Sequence, residues 1–420
     1  MRRSLALWLL ACSAIAAAAQ QTPTPTELGG KPFFVTKTWT IGGEGNWDNL
    51  TVDARAGQLF IAHGPVVQVV DVETAALVGK IGGLGNARSI ALDDTGEFGF
   101  IADDRTGAVV VFDRRTLGVS ARIPTGSNPQ VLVFDPVDKL LFAISASASL
   151  SRPTRMVRSR DADGKPNIVF LPDPSHARAD EQKYASRVAV IDTQTMTVLG
   201  EMLFSGRLAA AQCDALGRLY TAVVDRNYVL RIDSQDAAKQ LRSQAHDGSS
   251  ILDWSDIATG IKGYPVFFWT APNHPDIHYL DPACGELKTL ALENAHDRLF
   301  AACGNGKVVV LNADNGSQIA ALSITGSADA LAFDADRNLL YAANGNGMLS
   351  IVREHVTDSY SVIQELPTRQ QARTLAVNPV NGEVYLVTNL QGVDVSKPGG
   401  IGTLKAVPVP GSFQVLVVGN

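Results

Sequence analysis

Acids recur along this chain where chemistry would want them. Asp53, Asp93, Asp135, Asp214, Glu293 and Asp334 each close a short apolar stretch, and Asn378 takes the seventh such place. Taken singly, such carboxylates suit general acid–base work or cation ligation. Their spacings of 40, 42, 79, 79, 41 and 44 residues tell against that. A residue that returns at a fixed period belongs to the repeat. Asp or Asn ahead of a Pro/Gly-rich turn accepts a backbone hydrogen bond and starts the turn. The Asp-x-x-Thr runs at Asp71, Asp113 and Asp192 read the same way. These acids are turn-formers.

Other chemistry is thin. His274 and His278 are four apart with Asp276 between them, but Pro275 forbids the helix that would align two imidazoles, so only a loop site could use them. No Cys-x-x-Cys-His, Gly-x-Ser-x-Gly or phosphate-loop motif occurs. The reading is therefore no metal, no cofactor and no assignable catalytic residue. Lys plus Arg total 36 against 42 acids, a net charge of −6, which disfavours holding a phosphate backbone by bulk charge. The Arg-rich stretch with Arg152, Arg155, Arg158, Arg160 and Lys165 is a lid, a basic arm or a loosely ordered excursion, and leaves nucleic acid as a weaker alternative.

The elements that position these residues come from the repeat. The clearest copy, Arg88 to Ile123, holds four strand-like segments of five to seven residues separated by turn residues. Four-stranded antiparallel units at a period of about 42 residues are blades of a β-propeller. The expected fold is all-β: a seven-bladed β-propeller spanning 33–420. The two long intervals are inserts, at 146–186 and 236–282, with a third at 389–410. Residues 236–245 read as a short helix, and one later segment of that insert must be the outer strand of blade four. Trp254, Phe267, Phe268, Trp269 and Tyr279 gather there, more in the manner of a local core than of a binding platform. The chain ends on FQVLVV as a third strand, so the segment from Phe33 to Ile41 supplies the missing outer strand of blade seven and closes the ring.

In such a ring the first strand of each blade lines the channel. Counting five residues back from each marker gives Asp48, Arg88, Gln130, Ala209, Lys288, Asp329 and Arg373, five of the seven charged. Two residues further on stand Leu50, Ile90, Leu132, Ala211, Leu290, Leu331 and Leu375. A charged mouth thus caps an apolar wall. Either Arg88, Lys288 and Arg373 hold an anionic group of a ligand or partner, or strand starts at a wet opening are polar anyway and pair among themselves. The inserts at 146–186 and 389–410 leave the blades on that same face, where long loops tend to carry function.

Residues 1–19 read as an export signal: Arg2 and Arg3, an apolar run, then Ala17-Ala18-Ala19. Residues 20–32 form a linker. The run falls short of a membrane span. Cys12 in Leu9-Leu10-Ala11-Cys12 leaves lipidation as a second choice, and the Arg pair lacks the flanks of twin-arginine export. Export into oxidising conditions makes the remaining cysteines informative. Cys284 and Cys303 bracket one hairpin near register, so they should bridge, leaving Cys213 as a buried single thiol.

The unit V-x-V-I-D-x-x-T-x-x-V, Asn128-Pro129 before a first strand and Val384-Tyr385-Leu386-Val387-Thr388-Asn389 together resemble the YVTN-repeat propeller proteins of bacteria and archaea. The segments 344–354, 366–379 and 410–419 resemble a secreted bacterial branch of that family. The resemblance covers nearly all of the mature chain. It implies fold and compartment and says little about activity, because propellers host many unrelated functions. The expectation is an exported, monomeric, non-enzymatic binding or scaffold propeller acting on a small molecule or protein. The alternative is a propeller enzyme, lactonase-like or related to quinoprotein and haem-d1 oxidoreductases, for which Asp48 and Asp329 are the acids of the mouth.

Overall fold

The computed structural model describes residues 31–43, 45–146, 154–160, 166–172, 185–244, 250–254, 269–271, 274–280, 283–393 and 406–420. The expected export signal lies outside them, as do Arg152 and Lys165. Among the described residues no helix is long and apolar enough to cross a membrane.

Seven antiparallel blades form the ring, in the order expected. Blade 2 shows the pattern: Ala87–Leu92, Phe98–Asp103, Ala108–Asp113 and Val119–Pro124, each strand paired with the next. Strands two and three are buried on both faces against neighbouring blades, so they read as continuous Val/Ile/Phe runs rather than alternations. The innermost strands touch one another in sequence around the ring, and that of blade 7 meets that of blade 1. Closure is by Phe34–Thr40, which pairs antiparallel with Gln414–Gly419 as the outer strand of blade 7. Trp39 and Phe33 fasten it, Trp39 with its ring 5.6 Å from that of Tyr385 and Phe33 6.0 Å from Tyr341.

The turn acids do what the repeat implies. Asp53 Oδ1 accepts from the amides of Arg55 and Ala56, both at 3.1 Å, and Asp135 Oδ1 accepts from Val137 at 2.8 Å. Between the third and fourth strands, Asp113 Oδ1 takes the Arg115 and Thr116 amides and the Thr116 hydroxyl at 3.0, 2.6 and 2.9 Å. Those donors hold the Asp113 carboxyl below its ordinary range.

A second repeated device, in blades 2 to 7, ties the loop before the first strand to the end of the second strand about 18 residues later. In blade 2 Asp103 accepts the amides of Gly85 and Asn86 at 2.8 and 2.9 Å. Blade 3 uses Ser127 and Ser145 (2.8 Å), blade 4 the Arg207 amide on Asp225 (2.8 Å), and blade 7 the Thr388 hydroxyl on the Gln370 carbonyl (2.6 Å). Blade 6 uses Asn344 on the Thr325 carbonyl. Blade 5 does it covalently: Cys284 and Cys303 are disulfide-bonded, their Cα atoms 5.7 Å apart. The expected bridge is thus one version of a clamp that other blades make with hydrogen bonds.

The second insert behaves in a way the repeat could not show. Its helix is Ser234–Gln244, with Ala237, Ala238 and Leu241 buried against blades 3 and 4. Ile251–Asp253 then joins blade 3 as a fifth strand, parallel to Thr197–Phe204. His274–Leu280 is the outer strand of blade 4, and Trp269–Ala271 extends it. Trp254 is buried and meets Phe204 edge-on at 5.7 Å, a core contact. Cys213 departs from expectation. It is half-buried rather than fully buried, and its thiol is pushed well up by desolvation and the nearby Asp135 and Asp214 carboxylates, which leaves it inert.

Candidate functional site

Each first strand begins at the end of the ring where the first and third inserts leave the blades. The apolar wall stands where the spacing placed it: Leu50, Ile90, Leu132, Leu290, Leu331 and Leu375 are all buried, and Ala211 is half-buried. The charged mouth above it is not one uniform ring. Arg88 Nη1 lies 3.1 Å from Asp48 Oδ2, and Arg88 Nε lies 3.6 Å from Asp104 Oδ2. Arg373, exposed on blade 7, acts on Asp48 by charge from the other side. These four residues form one arc over blades 7, 1 and 2.

The remaining members are satisfied locally. Lys288 is paired with Glu286 on its own blade. Asp329 Oδ2 accepts the Gly345 amide at 2.8 Å, which ties two loops of blade 6. The Gln130 amide donates to the Ile144 carbonyl at 2.8 Å, a ladder contact, and Ala209 is half-buried. Asp104 was invisible to spacing from the first strand because it follows the second strand. The signal that reaches it is Asp103-Asp104 at a strand end, where Asn86 Nδ2 donates to Asp104 Oδ1 at 2.9 Å.

On the opposite face several cations tie blade seams. Arg114 joins Asp53 and Asp93, Lys139 meets Asp94 at 2.6 Å, and Arg298 Nε meets Asp358 at 2.6 Å. Arg218 gathers Asp214, Asp297 and Asp314, while Arg337 reaches the Pro379 and Val380 carbonyls at 3.2 Å. At the mouth, by contrast, Arg373 has no carboxylate within ion-pair distance among the described residues.

The arc has no nucleophile–base pair: no His, Cys or Ser lies in it among the described residues. Among those residues no group of three or more His, Cys, Asp or Glu side chains is placed to hold a metal ion. His274 and His278 sit on one strand, not in a loop, where four residues span roughly 13 Å. What the arc presents is a mixed-charge surface.

Desolvation raises the Asp48 pKa; attraction by Arg88 and Arg373 opposes this, and Asp104 adds to it. The folded protein therefore holds that proton more tightly than the unfolded chain does. The group favours folding as pH falls through its raised pKa and disfavours it above. Carboxyl-carbon NMR should show Asp48 titrating above the ordinary value of about 4. Arg88→Ala should move the midpoint further up, because the strongest attraction is lost; a downward move would contradict this electrostatic picture.

No protein-family model and no curated protein sequence matches the chain. Its fold does match solved structures. The chain is similar to U3-55K at a TM-score of 0.60 and 9% identity, over 90% of this chain and 97% of that one. The WD40 repeats of RRP9 give 0.60 and 9% over 95% and 99%, and a chain of the mitotic checkpoint complex gives 0.56 and 13% over 97% and 99%. At these identities the likeness establishes the β-propeller fold alone.

Proposed function

We propose that this chain is an exported, non-enzymatic binding propeller of the YVTN-repeat kind, which holds a small molecule or protein partner at the channel mouth. The observation that carries the proposal is exposed Arg373, without an ion-pair partner among the described residues, beside the Asp48–Arg88–Asp104 cluster. A guanidinium without a carboxylate is available to a carboxylate or phosphate of a ligand. Hairpins leave the ring at the same end. Thr154–Arg160 pairs with Pro166–Pro172 in the first insert, and Gln391–Val393 with Ala406–Pro408 in the third. One similar fold is part of the mitotic checkpoint complex. This chain is proposed to present its propeller face to another molecule.

The test is mass spectrometry, under non-denaturing conditions, of protein purified from its native export compartment. Wild type should retain a ligand or partner that the double variant Arg88→Ala, Arg373→Ala loses while keeping its melting midpoint. Equal retention by both forms would move the site elsewhere. Metal content and a visible absorption band in the same sample would instead favour the enzyme alternative.

A further inference from the structure

The seam between blades 7 and 1 holds open volume. A half-open cavity of about 300 Å³ lies there, walled by Gly43, Gly45, Asn389, Pro408, Val409 and Phe413 among others. Against the Phe413 ring lie two buried polar atoms with no hydrogen-bond partner among the described residues, Trp47 Nε1 and His63 Nε2. Phe413 packs 4.1 Å from the His63 ring and 5.3 Å from Trp47. Gln68 Nε2 donates to the Gly42 carbonyl at 3.1 Å, which turns its Oε1 toward His63 Nδ1 at 2.7 Å. His63 Nδ1 therefore carries the hydrogen, and Nε2 is left as a bare acceptor. Unsatisfied buried groups and open volume at one seam call for an explanation that ring closure alone does not supply.

The geometry points to a binding site here for a small neutral aromatic molecule bearing a carbonyl or amide oxygen, separate from the charged mouth. Among the described residues no ionisable side chain lines the cavity, so its described walls offer a charged ligand no compensation for lost hydration. Phe413, Pro408 and Val409 offer flat apolar faces to a ring. Gly43 and Gly45 keep the opposite wall bare. Gly43 must be glycine twice over: its φ is +115°, and a Cβ there would lie 2.7 Å from His63 Cε1. Asn389 is the polar anchor. Its Oδ1 accepts from Gln391 Nε2, which leaves Nδ2 to donate to a ligand oxygen. The volume lies at the lower end for ligand pockets and suits a single ring with a short substituent.

Saturation-transfer NMR of the mature chain with benzamide tests the site. Wild type should transfer saturation to the benzamide ring protons, and benzoate should bind at least about tenfold more weakly. Val409→Trp plugs the cavity from an exposed position and should abolish transfer with the melting midpoint unchanged. Asn389→Ala should weaken binding about five- to tenfold, the worth of one hydrogen bond. No transfer in wild type, or equal transfer in Val409→Trp, would overturn the assignment.

Discussion

Replacing Arg114 with Ala should lower the unfolding free energy by about 3–5 kcal/mol, the usual cost of leaving a buried carboxylate unpaired. Arg114 is only 7% exposed, and its guanidinium binds Asp53, itself 5% exposed, on the neighbouring blade. It donates through Nε to Asp53 Oδ2 at 3.0 Å and through Nη1 to the Asp93 carbonyl at 2.9 Å. The large effect comes from what remains: a desolvated Asp53 with no countercharge. Neutralising Asp53 as well should therefore recover part of the loss, since Asp93, 8% exposed, still lacks its countercharge. The double variant Arg114→Met with Asp53→Asn keeps the turn acceptor at position 53 and should melt above Arg114→Ala. Denaturant unfolding of the three forms decides it. A single variant that unfolds at the wild-type midpoint would show that the seam does not depend on this pair.

Opening the Cys284–Cys303 bridge should cost about 3 kcal/mol, because it closes a loop of 19 residues whose freedom in the unfolded chain it restricts. Cys303 is wholly buried and Cys284 nearly so, hence Ala should be tolerated better than Ser, whose hydroxyls would be buried without partners. The measurement is the denaturation midpoint of Cys284→Ala/Cys303→Ala against wild type, with and without reductant. Reductant should lower only the wild-type midpoint, down to that of the variant. If reductant moved neither, the bridge would not form in solution.

The ring itself could be read from the sequence because its signals are local and repeated. The Asp53, Asp93 and Asp135 turns, the Asp-x-x-Thr loops at Asp71 and Asp113, and the apolar positions at Leu50, Ile90 and Leu132 all recur at one period, and the structure places each as that period implies. The blade clamps escaped notice because the same position is filled by Asp103, Ser145, Asp225, Cys303, Asn344 and Thr388. Side chains with unlike chemistry satisfy one geometric need, so no residue type marks it. Only the cysteine version declared itself. Blade 4 was opaque for another reason. Its outer strand, His274–Leu280, comes after a helix and a strand given to blade 3, and no local pattern reports which sheet a strand will join. At the mouth, first-strand spacing found Asp48, Arg88 and Arg373 but not Asp104, which reaches Arg88 from the end of a different strand. The seam cavity is assembled from segments some 345 residues apart, so proximity there exists only after the ring has closed.

The most direct test of channel-mouth binding is photocrosslinking from two positions on opposite faces of the ring. A photoreactive phenylalanine derivative is placed at Lys288, exposed at the mouth, or at Val380, 72% exposed in a turn at the far end of blade 7. After irradiation in the exporting cell, adducts should form from position 288 and not from 380. They should disappear when Arg88 and Arg373 are changed to Ala. Adducts from position 380 alone, or adducts from 288 that survive loss of both arginines, would contradict binding at the mouth.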